Sequence, residues 1–235
     1  MARTYGIILA GGSGSRMGRT EPKQFLPLGG MPVIAWSLRL FNSLNAIDSI
    51  ITVSADEHRD RLQEIATQFG ITKIRAIVRG GSTRQESARN AVSALPFDHD
   101  DILIFHDAAR PFVTGRCVEA CIDAARAHGA AAAYVPLHDT VAEIADGFVS
   151  SVPPRDRLYA AQTPQGFQYR IIRQAHDYAL REGISATDDA GLAIAAGFIV
   201  KMVEGDDENI KITTERDYRA ACAVADPAAH KERNQ

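Results

Sequence analysis

Short apolar, β-branched runs alternate with longer stretches of helical periodicity through the first half of the chain. The apolar runs predict strands over residues 5–10, 49–54, 74–79, 102–106 and 132–135. Between them, apolar positions recur at three-and-four spacing over residues 32–42, 56–69, 83–95 and 116–128, which predicts helices. Pro32 suits a first helical turn, where its missing N–H has no intrahelical acceptor to lose. The second helix stacks Leu62, Ile65, Ala66 and Phe69 on one face and stops at Gly70. This alternation predicts an α/β fold: a mainly parallel sheet covered by helices on both faces.

The pattern changes after Pro136. Residues 137–162 read as short extended pieces, with 140–144 and 148–152 flanking Asp146-Gly147, a strong hairpin signal. Pro153-Pro154 and Arg155-Asp156-Arg157 then interrupt the chain. A hairpin without a core of its own is marginal, so this arm must pack on something, and a second copy of the chain is the expected partner. Helical periodicity returns over 169–181 and 188–196, followed by a strand over 198–203 and a helix over 214–225. The expected organisation is a single domain over 1–227, with 137–158 as a protruding β-arm and 228–235 as a frayed polar tail.

Composition narrows the class. At 235 residues, 46% hydrophobic and 23% charged, the chain reads as an ordinary globular domain that needs neither metal nor disulfide for its core. The net charge of −3 excludes a general polyanion binder, so no nucleic-acid partner is expected. Any affinity for phosphate must come from local cations. Cys117 and Cys121 lie four apart on one apolar helix face, which reads as core packing; with Cys222 they form no metal or disulfide pattern. The N-terminus shows no signal-peptide pattern and no apolar run reaches membrane length, so a cytoplasmic protein without membrane contact is expected.

The candidate chemistry begins where the first strand ends. Gly11, Gly12, Gly14 and Gly18 follow Ala10, with Ser13 and Ser15 between them. Glycines let backbone N–H groups approach and point at phosphate oxygens beyond a strand's carboxyl end. A P-loop needs a lysine after its last glycine, and here Arg19 follows Gly18. A dinucleotide fingerprint, as in a nicotinamide-dependent reductase, needs Gly-x-Gly-x-x-Gly opening a helix. Gly18 falls one residue late, and Glu21-Pro22 breaks a helix there. A long loop carrying Arg16 and then Lys23 fits nucleotidyl transfer. Attack on an α-phosphate builds negative charge that a guanidinium and an ammonium can stabilise. If the acceptor is itself a phosphate, largely dianionic at neutral pH, no general base is required.

Other clusters join this one. His106-Asp107-Ala108-Ala109-Arg110-Pro111 ends the fourth strand, placing Asp107 where it can hold Mg²⁺ or orient an acceptor, while His106 reads as a structural hydrogen-bonding group. Gly80-Gly81 with Arg84 and Ser87 opens a helix that Ser82 or Thr83 caps. Thr163-Pro164-Gln165-Gly166 and Thr187-Asp188-Asp189 follow, with Thr187 or Asp188 as an N-cap, and Lys211 sits in Asn209-Ile210-Lys211-Ile212-Thr213.

Together these residues closely resemble the bacterial and plastid 2-C-methyl-D-erythritol 4-phosphate cytidylyltransferases of the non-mevalonate isoprenoid pathway. The resemblance runs through residues 10–18, Pro22-Lys23-Gln24, 80–87, 106–111, His138-Asp139-Thr140, 155–166, Thr187-Asp188 and 209–213. It implies a Rossmann-like nucleotidyltransferase fold whose β-arm clasps a second subunit, with CTP, Mg²⁺ and a sugar-alcohol phosphate as partners. Carried over, Ala10, Gly11, Gly12 and Gly14 contact CTP, with Gly81, Arg84 and Ser87 around its cytosine and ribose. Arg16, Lys23 and Lys211 stabilise phosphate charge. Asp107 and Arg110 contact substrate or metal-bound phosphate, and Thr163 and Thr187 face the sugar phosphate. Thr140 and the catalytic Arg155 reach from one subunit's arm into the other's site. Gly11 departs from the alanine of many members, and no cyclodiphosphate-synthase domain is expected. Ribitol 5-phosphate cytidylyltransferases share the loop and the fold. The arm and the Thr187-Asp188-Asp189 stretch resemble the methylerythritol enzymes more closely.

Overall fold

The structure is a computed structural model and describes residues 2–12 and 21–226. Gly14, Arg16 and the tail 228–235 lie outside the described residues. In chain order, β1 (Thr4–Leu9) precedes the glycine-rich segment, and a small hairpin follows it, β2 (Pro27–Leu28) and β3 (Met31–Pro32). Then come α1 (Val33–Ser43), β4 (Ser49–Ser54), α2 (Arg59–Gln68), β5 (Ile74–Arg79), α3 (Arg84–Val92), β6 (Ile102–Asp107), α4 (Gly115–His128) and β7 (Ala130–Pro136). The second half contains β8 (Glu143–Ala145), β9 (Phe148–Ser151), β10 (Tyr159–Gln168), α5 (Tyr169–Glu182), α6 (Asp189–Ala195), β11 (Lys201–Glu204) and α7 (Glu215–Ala225).

The main sheet has seven strands in the order β11-β7-β10-β6-β1-β4-β5. β1 pairs in parallel with β4 and β6, and β4 with β5. β10 runs antiparallel to both neighbours, β6 and β7. Central strands are apolar on both faces because both are covered. Along β1, Ile8 packs with α1, α2 and α4, whereas Tyr5, Ile7 and Leu9 pack with α3, α5 and α6. Ala131 and Ala133 of β7 join the first core, and Ala130 and Ala132 the second. A third cluster of Leu26, Leu28, Val33, Ile212 and Tyr218 seats α7 against the small hairpin.

Apart from one-residue shifts at other helices, two helix starts differ in character from the pattern-based boundaries. Pro32 is extended (φ −61°, ψ 147°) and caps α1 instead of entering it. The helix expected over 56–69 opens as a separate 3-10 turn at Asp56–His58, with α2 proper beginning at Arg59. Cys117 and Cys121 are buried in the core as expected.

The arm forms as its turn residues dictate. Asp146 and Gly147 both take positive φ, 52° and 83°, the backbone a tight two-residue hairpin turn requires. Its strands leave large apolar side chains in the open: Phe148 is 77% exposed, Val149 63% and Ile144 62%.

β10 did not read as a strand, since Gln162, Thr163, Pro164, Gln165 and Gly166 lack alternation and an internal proline argues against a central strand. Tertiary packing overrides that weak local signal. The register shifts between Ala161 and Gln165, and Gln165 and Gly166 then lie between Phe105 and Ile104 of β6 and Ala132 and Ala131 of β7. Gly166 is there for space: a Cβ would sit 2.7 Å from Ile104 Cδ1 and 3.0 Å from the Cys121 carbonyl oxygen.

Candidate active site

The carboxyl ends of β1, β4 and β6 converge, and the chain leaving each is fixed by hydrogen bonds. Ala10 N–H donates to the Val53 carbonyl at 2.7 Å, and Ala108 N–H to the Leu9 carbonyl at 3.0 Å. The buried Gln24 donates its amide to the Ala10 carbonyl at 2.9 Å, so the segment after the glycines is tied back to its start. Across from Gly11 runs Gly80, where a Cβ would lie 3.6 Å from Gly11 Cα. The two backbones come this close because neither carries a side chain, and the Ser87 hydroxyl lies against both.

Gly81 N–H donates to Ser87 Oγ at 3.0 Å, and that hydroxyl donates to the Thr83 carbonyl at 2.9 Å. Ser87 therefore holds the turn together. Thr83 is the α3 cap, accepting from Glu86 N–H at 3.0 Å, while the Glu86 carboxylate accepts from both Ser82 N–H and Ser82 Oγ at 2.7 Å. These bonds fix the start of α3, and Arg84 leaves its first turn toward β6.

There Arg84 meets Asp107, the last residue of β6. Arg84 Nε lies 3.2 Å from Asp107 Oδ1, and Lys211 Nζ lies 2.6 Å from Oδ2. Burial pushes the Asp107 carboxyl up, but Arg84, Lys211 and Arg110 outweigh it and hold it well below the usual carboxylate range. Burial likewise opposes the Arg84 charge, and Asp189 and Asp107 more than restore it. Each of these two groups thus favours the charged form of the other.

Lys211 is delivered by an anchored loop. Ile212 is fully buried, and its N–H donates to the Ala109 carbonyl at 2.8 Å. Its carbonyl accepts from Lys23 Nζ at 2.8 Å, which brings the two lysines to one residue. Buried Asn209 donates its amide to Gln162 Oε1 at 3.2 Å and to the Thr163 carbonyl at 2.9 Å. Arg110 Nη1 donates to the Asn209 carbonyl at 2.7 Å.

Under Asp107 lies a buried polar pair. Asp107 N–H donates to Thr163 Oγ1 at 3.1 Å, and that hydroxyl contacts His106 Nδ1 at 3.1 Å. His106 Nε2 lies 3.0 Å from the Arg110 carbonyl. His106 is a structural hydrogen-bonding group, as its place in the sequence suggested.

Leu9, Gly11, Gly12, Lys23, Gly81, Arg84, Ser87, Asp107, Ala109 and Lys211 line a cleft of about 380 Å³. Eight of the sequence-derived site residues therefore line one space, Gly11, Gly12, Lys23, Gly81, Arg84, Ser87, Asp107 and Lys211, while Ala10 precedes Gly11 and Arg110 is bonded to the Asn209 carbonyl of the loop that carries Lys211. Thr163 lies immediately beneath it, hydrogen-bonded to Asp107. Thr187 is exposed in the turn before α6, whose cap is Asp188, accepting from Gly191 N–H at 2.8 Å. Thr140 and Arg155 are exposed on the arm, with Arg155 Nη1 donating to the His138 carbonyl at 2.9 Å; neither lines the cleft of its own chain. Among the described residues, no group of three or more His, Cys, Asp or Glu side chains is arranged to hold a metal ion. No helix among them is long and apolar enough to cross a membrane.

Sequence reasoning missed the buried polar residues behind the cleft: Gln162, Gln165, His176, Asn209 as a side chain, and Asp189 as a partner of Arg84. Gln165 donates to Asp188 Oδ2 at 2.8 Å and accepts from Ala190 N–H at 3.1 Å, tying β10 to the start of α6. The available signal was a run of polar residues between apolar elements, which resembles a loop when only periodicity is considered.

Burial pushes the His106 pKa down from 6.5 to about 4. The unfolded imidazole therefore takes up its proton before the folded one, and stability is lost as pH falls through that window. The loss at about pH 5 is expected to be ~2 kcal/mol relative to neutrality, read from urea midpoints, with His106→Gln flattening the profile. Asp107 and Asp189, held below their ordinary 3.8, add losses only at lower pH.

Residues 5–226 match the model of the 2-C-methyl-D-erythritol 4-phosphate cytidylyltransferase (IspD) family. The chain is 43% identical to the enzyme of that name from Pelotomaculum thermopropionicum, over 95% of this chain and 94% of that one. It is 39% identical to the enzyme from Geotalea uraniireducens, over 93% and 95%. Its fold is similar to the crystal structure of 4-diphosphocytidyl-2C-methyl-D-erythritol synthase from Anaerococcus prevotii, with a TM-score of 0.82 and 31% identity, covering 95% of this chain and 96% of that chain. With these similarities spanning nearly its whole length, the chain belongs to the 2-C-methyl-D-erythritol 4-phosphate cytidylyltransferase family.

Proposed function

We propose that the cleft between Gly11, Arg84 and Lys211 binds CTP and is where its α-phosphate is attacked by the phosphate of 2-C-methyl-D-erythritol 4-phosphate. The family reaction transfers CMP from CTP to that acceptor, giving 4-diphosphocytidyl-2-C-methyl-D-erythritol and pyrophosphate. A phosphate oxygen of the acceptor forms the new bond to the α-phosphorus. The bond from that phosphorus to the oxygen bridging to the β-phosphate breaks, and pyrophosphate carries the electron pair away. No proton need leave the acceptor, because its phosphate is largely dianionic at neutral pH.

The observation that carries this reading is the pairing of Arg84 and Lys211 with one carboxylate, with Lys23 in the same cleft, beside a groove walled by glycine backbone. In it, backbone N–H groups of Gly11 and Gly12 face the nucleotide phosphates, and Ala10, whose own N–H is held by the Val53 carbonyl, sets where they begin. Lys23 and Lys211 counter the charge that grows on the α-phosphate and the leaving group. Gly14 and Arg16, outside the described residues, complete this shell on the strength of the family motif. Gly81, Arg84 and Ser87 flank the nucleoside, and Arg110, Thr163 and Thr187 flank the acceptor.

A magnesium ion suits this donor set. Asp107 is a fully ionised oxygen donor, and Mg²⁺ commonly takes one carboxylate, with phosphate oxygens and water supplying the rest. Both Asp107 oxygens are engaged by cations, so Lys211 would turn from Asp107 toward phosphate as the ion arrived. Bound there, the ion would neutralise charge on the triphosphate.

The exposed Phe148, Val149 and Ile144 support a homodimer formed through the arm, which would bring the partner subunit's Thr140 and Arg155 to the acceptor side of the cleft. Three free thiols suit a reducing, cytoplasmic setting.

Purified protein incubated with Mg²⁺ and the acceptor is expected to release pyrophosphate from CTP in preference to ATP, GTP and UTP, and to stop on chelation. Release without a CTP preference, or a preference for ribitol 5-phosphate, would overturn the assignment. Lys23→Ala is expected to lower kcat by roughly 100-fold with little change in either KM, because its charge matters most in the transition state. Phe148→Asp is expected to shift the protein toward monomer in sedimentation and to reduce kcat/KM for the acceptor by about tenfold or more.

A further inference from the structure

Asp189 has no part in the chemistry above, yet it is the most deeply buried carboxylate near the cleft. Its side chain is inaccessible to solvent, on the first turn of α6, between two partners. Arg84 Nη1 lies 2.8 Å from Oδ2, and His176 Nε2, on α5 and also buried, lies 3.4 Å from Oδ1. Burying a carboxylate is costly unless it is paired, so one placed here must hold something in position.

The Arg84 fork is thereby divided three ways. Nε points at Asp107, Nη1 at Asp189, and Nη2 is buried without a hydrogen-bond acceptor, on a side chain that lines the cleft. A guanidinium is planar, so fixing two of its nitrogens fixes the direction of the third. Asp107 alone is a poor anchor because it is shared with Lys211. A carboxylate on the far side leaves the plane no freedom to swing. An unsatisfied buried donor in a cleft wall is a vacancy for a ligand acceptor atom.

We propose that Asp189, backed by His176, is a positioning residue for the nucleotide site, orienting Arg84 so that Nη2 donates to an acceptor atom of bound CTP. This rests on the cleft being the CTP site. His176 Nε2 lies against Asp189 Oδ1 without a hydrogen bond and fills the space into which the carboxylate would otherwise turn, and these contacts join α3, α5 and α6 behind the cleft.

The test is a double-mutant cycle in the intact enzyme, read as KM for CTP and KM for the sugar phosphate separately. Asp189→Asn is expected to raise the CTP KM by about tenfold through a misdirected Arg84, leaving the acceptor KM unchanged. Arg84→Ala is expected to raise it at least as much, and the double variant no further, because Asp189 acts only through Arg84. Losses that multiply in the double variant, or an unchanged CTP KM in Asp189→Asn, would overturn the positioning role while leaving the cleft assignment standing. An unchanged CTP KM in Arg84→Ala would overturn both. If circular dichroism shows Asp189→Asn unfolded, His176→Gln replaces it in the same cycle, with the same two outcomes deciding.

Discussion

The molecule is organised around a carboxylate held between two cations from distant parts of the chain. Asp107 ends β6, Arg84 begins α3 and Lys211 lies near the C-terminus, so their contacts close the sheet, a helix and the final loop around one point. Partly buried ion pairs are costly unless most of their remaining hydrogen-bonding capacity is met. That requirement accounts for much of the polar interior: Thr163 beneath Asp107, His106 beneath Thr163, and Asn209 and Gln162 fixing the loop that carries Lys211. Polar residues that a core would ordinarily exclude are here the supports of charge.

The parallel half of the fold was legible because its strands are short apolar runs and its helices carry clean stripes. Ile7, Ile8 and Leu9, or Ile102 to Phe105, have few alternatives to a central strand. β10 was hidden for the opposite reason. Its buried stretch carries Gln162, Thr163 and Gln165, whose burial depends on partners that local sequence does not display. The site shows the same division. Asp107, Arg84, Lys23 and Lys211 could be named because cations and glycines at strand ends are conspicuous. Asp189 read as a helix-start acid beside a capping residue, and His176 as one more position on an amphipathic helix. Their relation is one of distance in space, and no spacing along the chain encodes it.

The arm and the cleft present contrasting surfaces. The cleft wall is glycine backbone and fixed charge, held by hydrogen bonds short in space and long in sequence. The arm is a two-stranded ribbon with its apolar side chains in the open, and only its base joins the main sheet, where Leu137 N–H donates to the Leu158 carbonyl. An element with so few anchors takes its final shape from what it packs against.

β10 connects these two regions, running from the base of the arm at Tyr159 to the edge of α5 at Gln168. Side chains alternate along a strand, so a one-residue slip turns each to the opposite face. Thr163 and Gln165 therefore tolerate no change in length between Tyr159 and Gln168, whereas the ribbon before Tyr159 has no such ruler. Insertions and deletions should accumulate in the ribbon between Glu143 and Ser151, clear of Thr140 and Arg155, and be absent from Tyr159 onward. The strand that was hardest to read thus divides the part of the chain free to vary in length from the part that is not.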